Sequence, residues 1–206
     1  MVRTSQLQYR YSNGTEFHFP DISLEGNQHL LIHGPSGSGK STWMHLLGGL
    51  LVPSGGEIHI SGQALHTLSN KELDACRRNS IGIVFQKPHF VSALSVYENL
   101  ELIQSYSNTV SDIESITDSL AINHRLHARP QDLSGGELQR MSIAMVLLKK
   151  PALIIADEPT ASLDDVNCDT VASLLIETAA SLDANLIVVS HDHRIKPHFI
   201  NQIGLS

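Results

Sequence analysis

A glycine-rich stretch at residues 34–42, GPSGSGKST, carries the residue types that bind phosphate. Its glycines leave backbone N–H groups free to surround an anion, and the start of a helix adds partial positive charge. In the pattern G-x-x-x-x-G-K-[ST], Lys40 meets the β- and γ-phosphates of a nucleotide and the Ser41 hydroxyl ligates Mg²⁺. The predicted phosphate loop consists of Gly34, Pro35, Ser36, Gly37, Ser38, Gly39, Lys40, Ser41 and Thr42.

Two adjacent carboxylates follow an apolar run in ALIIADEPT, residues 152–160. A Mg²⁺-nucleotide needs an acidic partner at the end of a buried strand, and Asp157 can hold the metal there through water. Glu158 is next in the chain and is placed to polarise an attacking water. Beside a phosphate loop, this pair predicts nucleotide hydrolysis.

A second glycine-rich stretch, LSGGELQR, lies at residues 133–140. Ser134 has the side chain of a helix N-cap, and the first N–H groups of such a helix, with Gly135 and Gly136, present another anion-binding end. A plain helix start would have the same pattern, so this stretch by itself does not establish a second phosphate site.

Apolar runs separated by helical patterns must position these residues. Strands are predicted at residues 29–33, 57–60, 81–85, 152–156 and 186–190, and helices at 41–50, 111–122, 134–150 and 165–182. Three of the strand runs are continuously apolar, which is typical of a sheet covered on both faces. We therefore predict an α/β fold with a parallel sheet, and a helical insertion rather than a separate domain between about residues 90 and 148.

Two local details of these helices follow from residue spacing. Trp43, Leu46, Leu47 and Leu50 are predicted to form one apolar stripe after the phosphate loop. The helix at 111–122 is predicted to begin with a capping box between Ser111 and Glu114.

The composition excludes several classes of function. The chain has 206 residues, is 41% hydrophobic and has a formal net charge of −7, so we expect no nucleic-acid partner. No apolar run approaches the roughly 18 residues of a membrane span, which predicts a cytosolic chain. The 12 histidines are scattered, and we expect no metal site built from them. Cys76 and Cys168 belong to no C-x-x-C pair, which favours two inert thiols.

Together, the motifs resemble those of ATP-binding cassette (ABC) proteins, the ATPase subunits of ABC transporters. LSGGELQR resembles the family's signature sequence, Gln86 after IGIVF its Q-loop, Asp164 in SLDD (162–165) its D-loop, and His191 in VVSHD its switch histidine. The motifs occur in the family's order, and the resemblance runs from about residue 5 to 204. Tyr11 resembles the aromatic residue that stacks on adenine, with Tyr9 as the alternative.

The resemblance implies a fold and a division of the chain. The fold is α/β: a P-loop NTPase core with a mostly parallel sheet flanked by helices, an N-terminal antiparallel β portion and an inserted α-helical subdomain. The core would comprise residues 1–86 and 151–206 of a single ABC ATPase domain, and the helical subdomain about 87–150.

It also implies ATP and Mg²⁺ as cofactors and a role for each motif. Lys40 and Gly39 bind phosphate. Ser41 and Gln86 contact Mg²⁺, and Asp157 supports the metal. Glu158 acts as the base for hydrolysis, and His191 steadies the γ-phosphate. The signature residues Ser134, Gly135 and Gly136, together with Asp164, act on the nucleotide held by a second subunit.

Two partners follow from this resemblance. One is a second ATP-binding subunit, identical or different. The other is a separate integral membrane permease, which we expect to dock on residues 86–100 and to hold the chain at the cytoplasmic face of the inner or plasma membrane. HLLGGL (45–50) and residues 124–137 resemble the group that drives lipoprotein release, macrolide efflux and cell-division permeases.

Two other functions remain open from the residues alone. One is an ABC-type ATPase with a non-transport role, such as mechanical signalling to a membrane partner. The other is a P-loop kinase or nucleotide-binding module, which would leave LSGGELQR unexplained.

Overall fold

Residues 1–107, 109–161 and 163–206 are described by the computed structural model. The helices in these ranges are α1 (Lys40–Leu47), α2 (Asn70–Ser80), α3 (Val96–Ser107), α4 (Ile113–Ser119), α5 (Gly135–Lys149) and α6 (Asp165–Ser181). The strands are β1 (Val2–Arg10), β2 (Glu16–His18), β3 (Ser23–Leu24), β4 (His29–His33), β5 (Gly55–Ile60), β6 (Gln63–Ala64), β7 (Ile81–Val84), β8 (Leu153–Asp157), β9 (Asn185–Val189) and β10 (Asn201–Gly204).

A parallel sheet forms the centre of the molecule, with strand order β10-β4-β9-β8-β7. Its register pairs Leu31 with Val188, and Val188 with Ala156. The carboxyl ends of parallel strands lie at one edge of a sheet, which is where open α/β folds bind ligands. The phosphate loop after β4 and the carboxylate Asp157 at the end of β8 therefore reach the same edge, as the sequence predicts.

Alternate residues of the sheet enter two different apolar clusters. One face contributes Leu31, Ile154, Ala156, Leu186 and Val188 to the cluster that packs on α5 and α6. The other face contributes Leu30, Ile32, Leu153, Ile155, Ile187 and Val189 to the cluster that contains α1 and the antiparallel sheet. Burial on both faces explains why these strands are continuously apolar.

The second sheet is antiparallel, with order β2-β1-β5-β6 and β3 paired to β1. It confirms the N-terminal antiparallel β portion, although no strand before residue 29 was predicted from its own pattern. The reason is a bulge between Ser5 and Gln8, where Gln6 has φ of +48°. Because the bulge shifts the alternation, Val2 and Leu7 are both buried although they are five positions apart.

Between residues 87 and 150, the described residues form α3, α4, α5 and short 3₁₀ turns, with no strand. The helical character predicted for this block is confirmed, while the bounds of the inserted helical subdomain, about 87–150, stay a prediction. The capping box predicted at Ser111 is wrong. Asp112 caps α4 instead, since its carboxylate accepts the Ser115 N–H at 3.1 Å. Asp serves as an N-cap as well as Ser does, so the choice between neighbours could not be read from spacing.

The cap predicted at Ser134 is present and is part of a larger network. Its hydroxyl accepts the Glu137 N–H at 3.3 Å, and the Glu137 carboxylate accepts the Ser134 N–H at 2.8 Å. Arg125 donates to the same carboxylate at 2.7 Å. The Arg125 bond, followed by the Ser134 N–H, holds the pKa of Glu137 at about 2. The start of α5 is therefore fixed by both a capping box and an ion pair.

Trp43 anchors α1 on the antiparallel sheet. Its ring is fully buried and stacks on Phe19, with centroids 5.4 Å apart. Leu46 and Leu47 complete the buried stripe, but Leu50 does not belong to it. The helix ends at Leu47, Gly49 turns the chain with φ of +64°, and Leu50 is 44% exposed.

No helix among the described residues is both long enough and apolar enough to cross a bilayer.

We expect Trp43→Ala to lower the free energy of unfolding by about 3–5 kcal/mol, because it removes a fully buried ring and leaves a cavity. Urea unfolding followed by circular dichroism measures this. Val52→Ala is the control, since Val52 is 63% exposed and should change stability by less than about 0.5 kcal/mol. A loss below about 1 kcal/mol for Trp43→Ala would contradict its anchoring role.

We expect Glu137→Gln to lower the free energy of unfolding by about 1–2 kcal/mol at pH 7. Folding depresses the pKa of Glu137, so its contribution is complete above the ordinary value of 4.5 and is lost as pH falls towards about 2. The difference between parent and variant should therefore shrink below pH 4.5. Urea titrations across this range test it, with Glu101→Gln, exposed on α3, as the control. A constant difference would show that the carboxylate charge is not what stabilises the cap.

Candidate nucleotide site

The phosphate loop joins β4 to α1 and closes around its own lysine. Lys40 is buried, and its ammonium donates to the carbonyls of Gly34 at 2.9 Å and Pro35 at 2.8 Å. Gly39 has φ of +92°, and a Cβ there would lie 2.6 Å from the Phe17 ring. Backbone conformation and packing thus both require glycine at the last position before the lysine.

Asp157 ends β8 at the floor of the same site. Burial raises the pKa of its carboxyl group, and the neighbouring Glu158 raises it further, while His45 and Lys40 act in the opposite direction. A cation bound beside this carboxylate would favour its charged form.

Glu158 and His191 are brought together, as the motifs predict. One Glu158 oxygen lies 2.6 Å from His191 Nδ1 and accepts the His191 N–H at 3.1 Å, and the other accepts the Ser190 hydroxyl at 2.8 Å. The Glu158 side chain is 12% exposed, whereas the His191 side chain is 65% exposed. The carboxylate is therefore held in a fixed position while the imidazole can reach solvent. Glu158 itself has φ of +45°, a strained conformation for a residue with a side chain.

A cleft of about 1080 Å³ unites these groups. The predicted residues that line it are Tyr11, Gly34, Pro35, Ser36, Gly37, Gly39, Lys40, Ser41, Thr42, Gln86, Asp157, Glu158 and His191. Ser38 belongs to the loop but does not line the cleft, and its hydroxyl is buried.

Several lining residues were missed by the sequence interpretation. They are Asn13, Thr15, Phe17, His33, Val189, His193 and Lys196. His33 directly precedes the phosphate loop, and His193 and Lys196 follow the switch histidine, so proximity in the chain to a motif was the available signal. The position of Lys196 in the lining also depends on the turn that leads to β10, and the sequence pattern predicts neither this turn nor this strand.

Tyr11 occupies one wall of the cleft, close to the start of α1. Its hydroxyl lies 2.8 Å from the Thr42 hydroxyl, and its side chain remains partly exposed. Tyr9 does not line the cleft and packs edge-on against Tyr11, with ring centroids 4.8 Å apart. Of the two alternatives, only Tyr11 has a ring available to a ligand in the cleft.

The second glycine-rich stretch lies in a different pocket, of about 350 Å³. Its lining includes Ser134, Gly135, Gly136 and Asp164, and none of its lining residues belongs to the first cleft. Asp164 caps α6, accepting the Asn167 N–H at 2.9 Å and its side-chain amide at 2.8 Å. These bonds lower the pKa of Asp164. Ser162, the first residue of the SLDD motif, lies outside the described residues.

The described residues hold no group of three or more His, Cys, Asp or Glu side chains placed to bind a metal ion. This does not test the predicted Mg²⁺ ligands, since Asp157 is the only one of them that belongs to these residue types.

Comparisons with known proteins identify the family. The ABC transporter family model matches residues 18–161. The lipoprotein-releasing system ATP-binding protein LolD of Psychrobacter arcticus is 39% identical over 181 residues, covering 85% of this chain and 80% of that protein. LolD of Xanthomonas campestris is 33% identical over 204 residues, covering 95% and 85%.

Solved structures show the same fold. The dimeric post-hydrolysis state of the ATP-binding cassette MJ0796, bound to ADP and Pi, has a TM-score of 0.88 and 29% identity, covering 100% of this chain and 94% of that one. CbiO1 of Clostridium perfringens, part of the ABC transporter complex cbiONQ, has a TM-score of 0.87 and 28% identity, covering 100% and 84%. With a family match over more than half of its length, a phosphate loop and the Asp157–Glu158 pair, this chain belongs to the ABC transporter family as an ATP-binding and ATP-hydrolysing subunit.

Proposed function

We propose that this chain pairs with a second ATP-binding subunit around two MgATP molecules and drives a separate membrane permease. The observation that carries the proposal is the separation of the two glycine-rich helix starts into pockets with no lining residue in common. Each is suited to bind an anion, but they do not meet in one chain. Two copies facing each other would place the second pocket of one over the first cleft of the other.

In the first cleft, the phosphate loop and Lys40 hold the nucleotide phosphates, and Tyr11 stacks on adenine. Ser41, Gln86 and Asp157 would hold Mg²⁺, which takes oxygen ligands and keeps several waters. These three line one cleft, and each offers the oxygen atom that Mg²⁺ prefers as a ligand. When bound, the metal would neutralise charge on the phosphates.

Glu158 serves as the general base, and His191 steadies the γ-phosphate. One oxygen of Glu158 is held by the Ser190 hydroxyl, which fixes the direction of the other. That second oxygen now faces the His191 imidazole. When His191 turns to a γ-phosphate, the oxygen becomes free to accept a proton from water.

The second pocket serves the nucleotide of the partner. The capped start of α5 presents the N–H groups of Gly135 and Gly136, and Ser134 stands at its tip. Asp164 lines the same pocket and shapes the start of α6. These four residues would close on the γ-phosphate held by the other subunit.

The permease would dock along residues 86–100 and the adjoining face of α3. Gln86 lines the nucleotide cleft, and the chain then leads to α3, where Leu102 is 49% and Tyr106 60% exposed. Exposed apolar side chains on this path suit a hydrophobic partner helix. A chain docked in this way would lie at the cytoplasmic face of the inner or plasma membrane, and contact with the γ-phosphate at Gln86 would be linked to a membrane protein.

The LolD relatives support a lipoprotein-release type of transporter over the two other functions considered. A signalling ATPase is not favoured by these relatives. A kinase is excluded by the family match, which accounts for LSGGELQR.

Glu158→Gln should slow ATP hydrolysis by about 10² or more, because the amide is not a base. ATP binding should persist, and MgATP should convert the variant to a dimer, as measured by phosphate release and by light scattering after size exclusion. Glu177→Gln, which alters an exposed carboxylate on α6, is the control and should hydrolyse ATP normally. Near-normal turnover in Glu158→Gln would remove this residue from the role of base.

Tyr11→Ala should weaken ATP binding by about 5- to 150-fold, since stacking of a base on an aromatic ring contributes about 1–3 kcal/mol. Tyr11→Phe should bind nearly as well as the parent, and so should Tyr106→Ala, which changes an exposed ring that does not line the cleft. Titration with a fluorescent ATP analogue measures all three. Weakening by Tyr9→Ala with no effect of Tyr11→Ala would instead assign the stacking role to Tyr9.

A further inference from the structure

We propose that Arg194 is a positioning residue that couples the two nucleotide pockets of one chain. It lies three residues after His191, in the 3₁₀ turn His193–His198, and lines neither pocket. No motif considered in the sequence includes it. Its side chain joins the segment that carries His191 to the segment that carries Asp164. The proposal rests on the two-subunit arrangement proposed above.

The first half of the link is the residue next to the switch histidine. The Asp192 carboxylate accepts hydrogen bonds from Nε and Nη2 of Arg194, the latter at 2.7 Å, and another from the Thr160 hydroxyl at 3.0 Å. The Asp192 side chain is only 10% exposed. A paired guanidinium and carboxylate in this fork geometry is rigid, so the position of Arg194 follows that of the backbone at His191 and Asp192.

The second half of the link reaches the start of α6. Arg194 Nη1 donates to the Leu163 carbonyl at 3.2 Å and to the Asp165 carboxylate at 2.7 Å. Leu163 and Asp165 flank Asp164. One guanidinium therefore bonds to both neighbours of Asp164, which lines the second pocket, although the Asp165 side chain is 88% exposed.

The link continues to α5, the helix that begins in the signature sequence LSGGELQR. Leu163 lines the second pocket, and its side chain lies 3.9 Å from where a Cβ of Gly135 would be. Asn167, which is bonded to Asp164, lies close to Gly136 in the same way, at 3.5 Å. A displacement at Leu163–Asp165 would therefore change the shape of the surface offered to a partner's nucleotide.

This chain of contacts has a specific consequence in a dimer. His191 would contact the nucleotide bound by its own chain, whereas Asp164 and Gly136 would contact the nucleotide bound by the partner. Arg194 thus connects a group that meets one γ-phosphate with groups that meet the other. Binding at one site would then favour closure of the second, which is a coupling free energy between sites.

The test compares ATP hydrolysis by the purified full chain and its Arg194→Gln variant over a range of MgATP concentrations. The parent should give a Hill coefficient above 1 and up to about 2, the limit for two sites, and Arg194→Gln should give a lower value at the same protein concentration. The affinity of Arg194→Gln for a fluorescent ATP analogue should stay within about twofold of the parent, since Arg194 lines no pocket.

Asp165→Asn should also lower the Hill coefficient, and the double variant should fall no further than Arg194→Gln alone, because both remove the same link. Arg77→Gln is the matched control. Arg77 likewise joins a carboxylate, Asp74, to a backbone carbonyl, Gly49, on another segment, but it lies outside both pockets. It should keep the parent's Hill coefficient.

An unchanged Hill coefficient in Arg194→Gln, or an equal loss in Arg77→Gln, would overturn the proposal. So would a parent with a Hill coefficient of about 1. If the parent has a Hill coefficient of about 1, the addition of MgATP to Glu158→Gln distinguishes failure of the coupling from failure of the proposed function. If the dimer forms, the proposed function stands and only the coupling fails; if it does not form, the proposed function fails as well.

Discussion

A helix N-terminus binds an anion only at its own tip, and this chain places two such tips in separate pockets. The start of α1 lies in the first cleft beside Lys40, while the start of α5 lies in the second pocket. The sheet dictates this separation. The 15-residue α5 ends at the amino edge of the sheet, where Lys149 bonds to the Ile81 carbonyl, and a helix of this length extends about 22 Å from there. The need for a second subunit follows from this geometry.

Within the first cleft, catalysis depends on what the parallel strands bring to one edge. The phosphate loop follows β4, Asp157 ends β8 with Glu158 next in the chain, and His191 follows β9, which lies between β4 and β8 in the sheet. Strand order thus places Glu158 within hydrogen-bond distance of His191, although they are 33 residues apart. The Ser190 hydroxyl also donates to the Glu158 carboxylate, so the chain's own hydrogen bonds position this side chain.

Much of this could be predicted because the signals are local. The phosphate loop, the five predicted strands and the Ser134 cap depend on residues close together in the chain. Strand β1 was missed because its bulge breaks the alternation at Gln6. The place of Lys196 on the cleft depends on the turn into β10, and the bonds from Arg194 to Leu163 and Asp165 join segments about 30 residues apart. Pairings of that kind are decided by tertiary packing and leave no periodic trace in the sequence.

The central claim is that each nucleotide lies between the first cleft of one chain and the second pocket of another. The most direct test of this claim mixes two inactive variants. Lys40→Met disables the first cleft, and Gly136→Asp places a negative charge in the second pocket, where a Cβ meets only ordinary contacts, the nearest at 3.5 Å. If each nucleotide lies between two chains, a mixed dimer keeps one intact site. The mixture should then recover ATPase activity, up to roughly a quarter of the parent's, because roughly half of randomly paired dimers are mixed and each mixed dimer keeps one of its two sites. No recovery on mixing, with both variants folded and able to dimerise, would contradict the account.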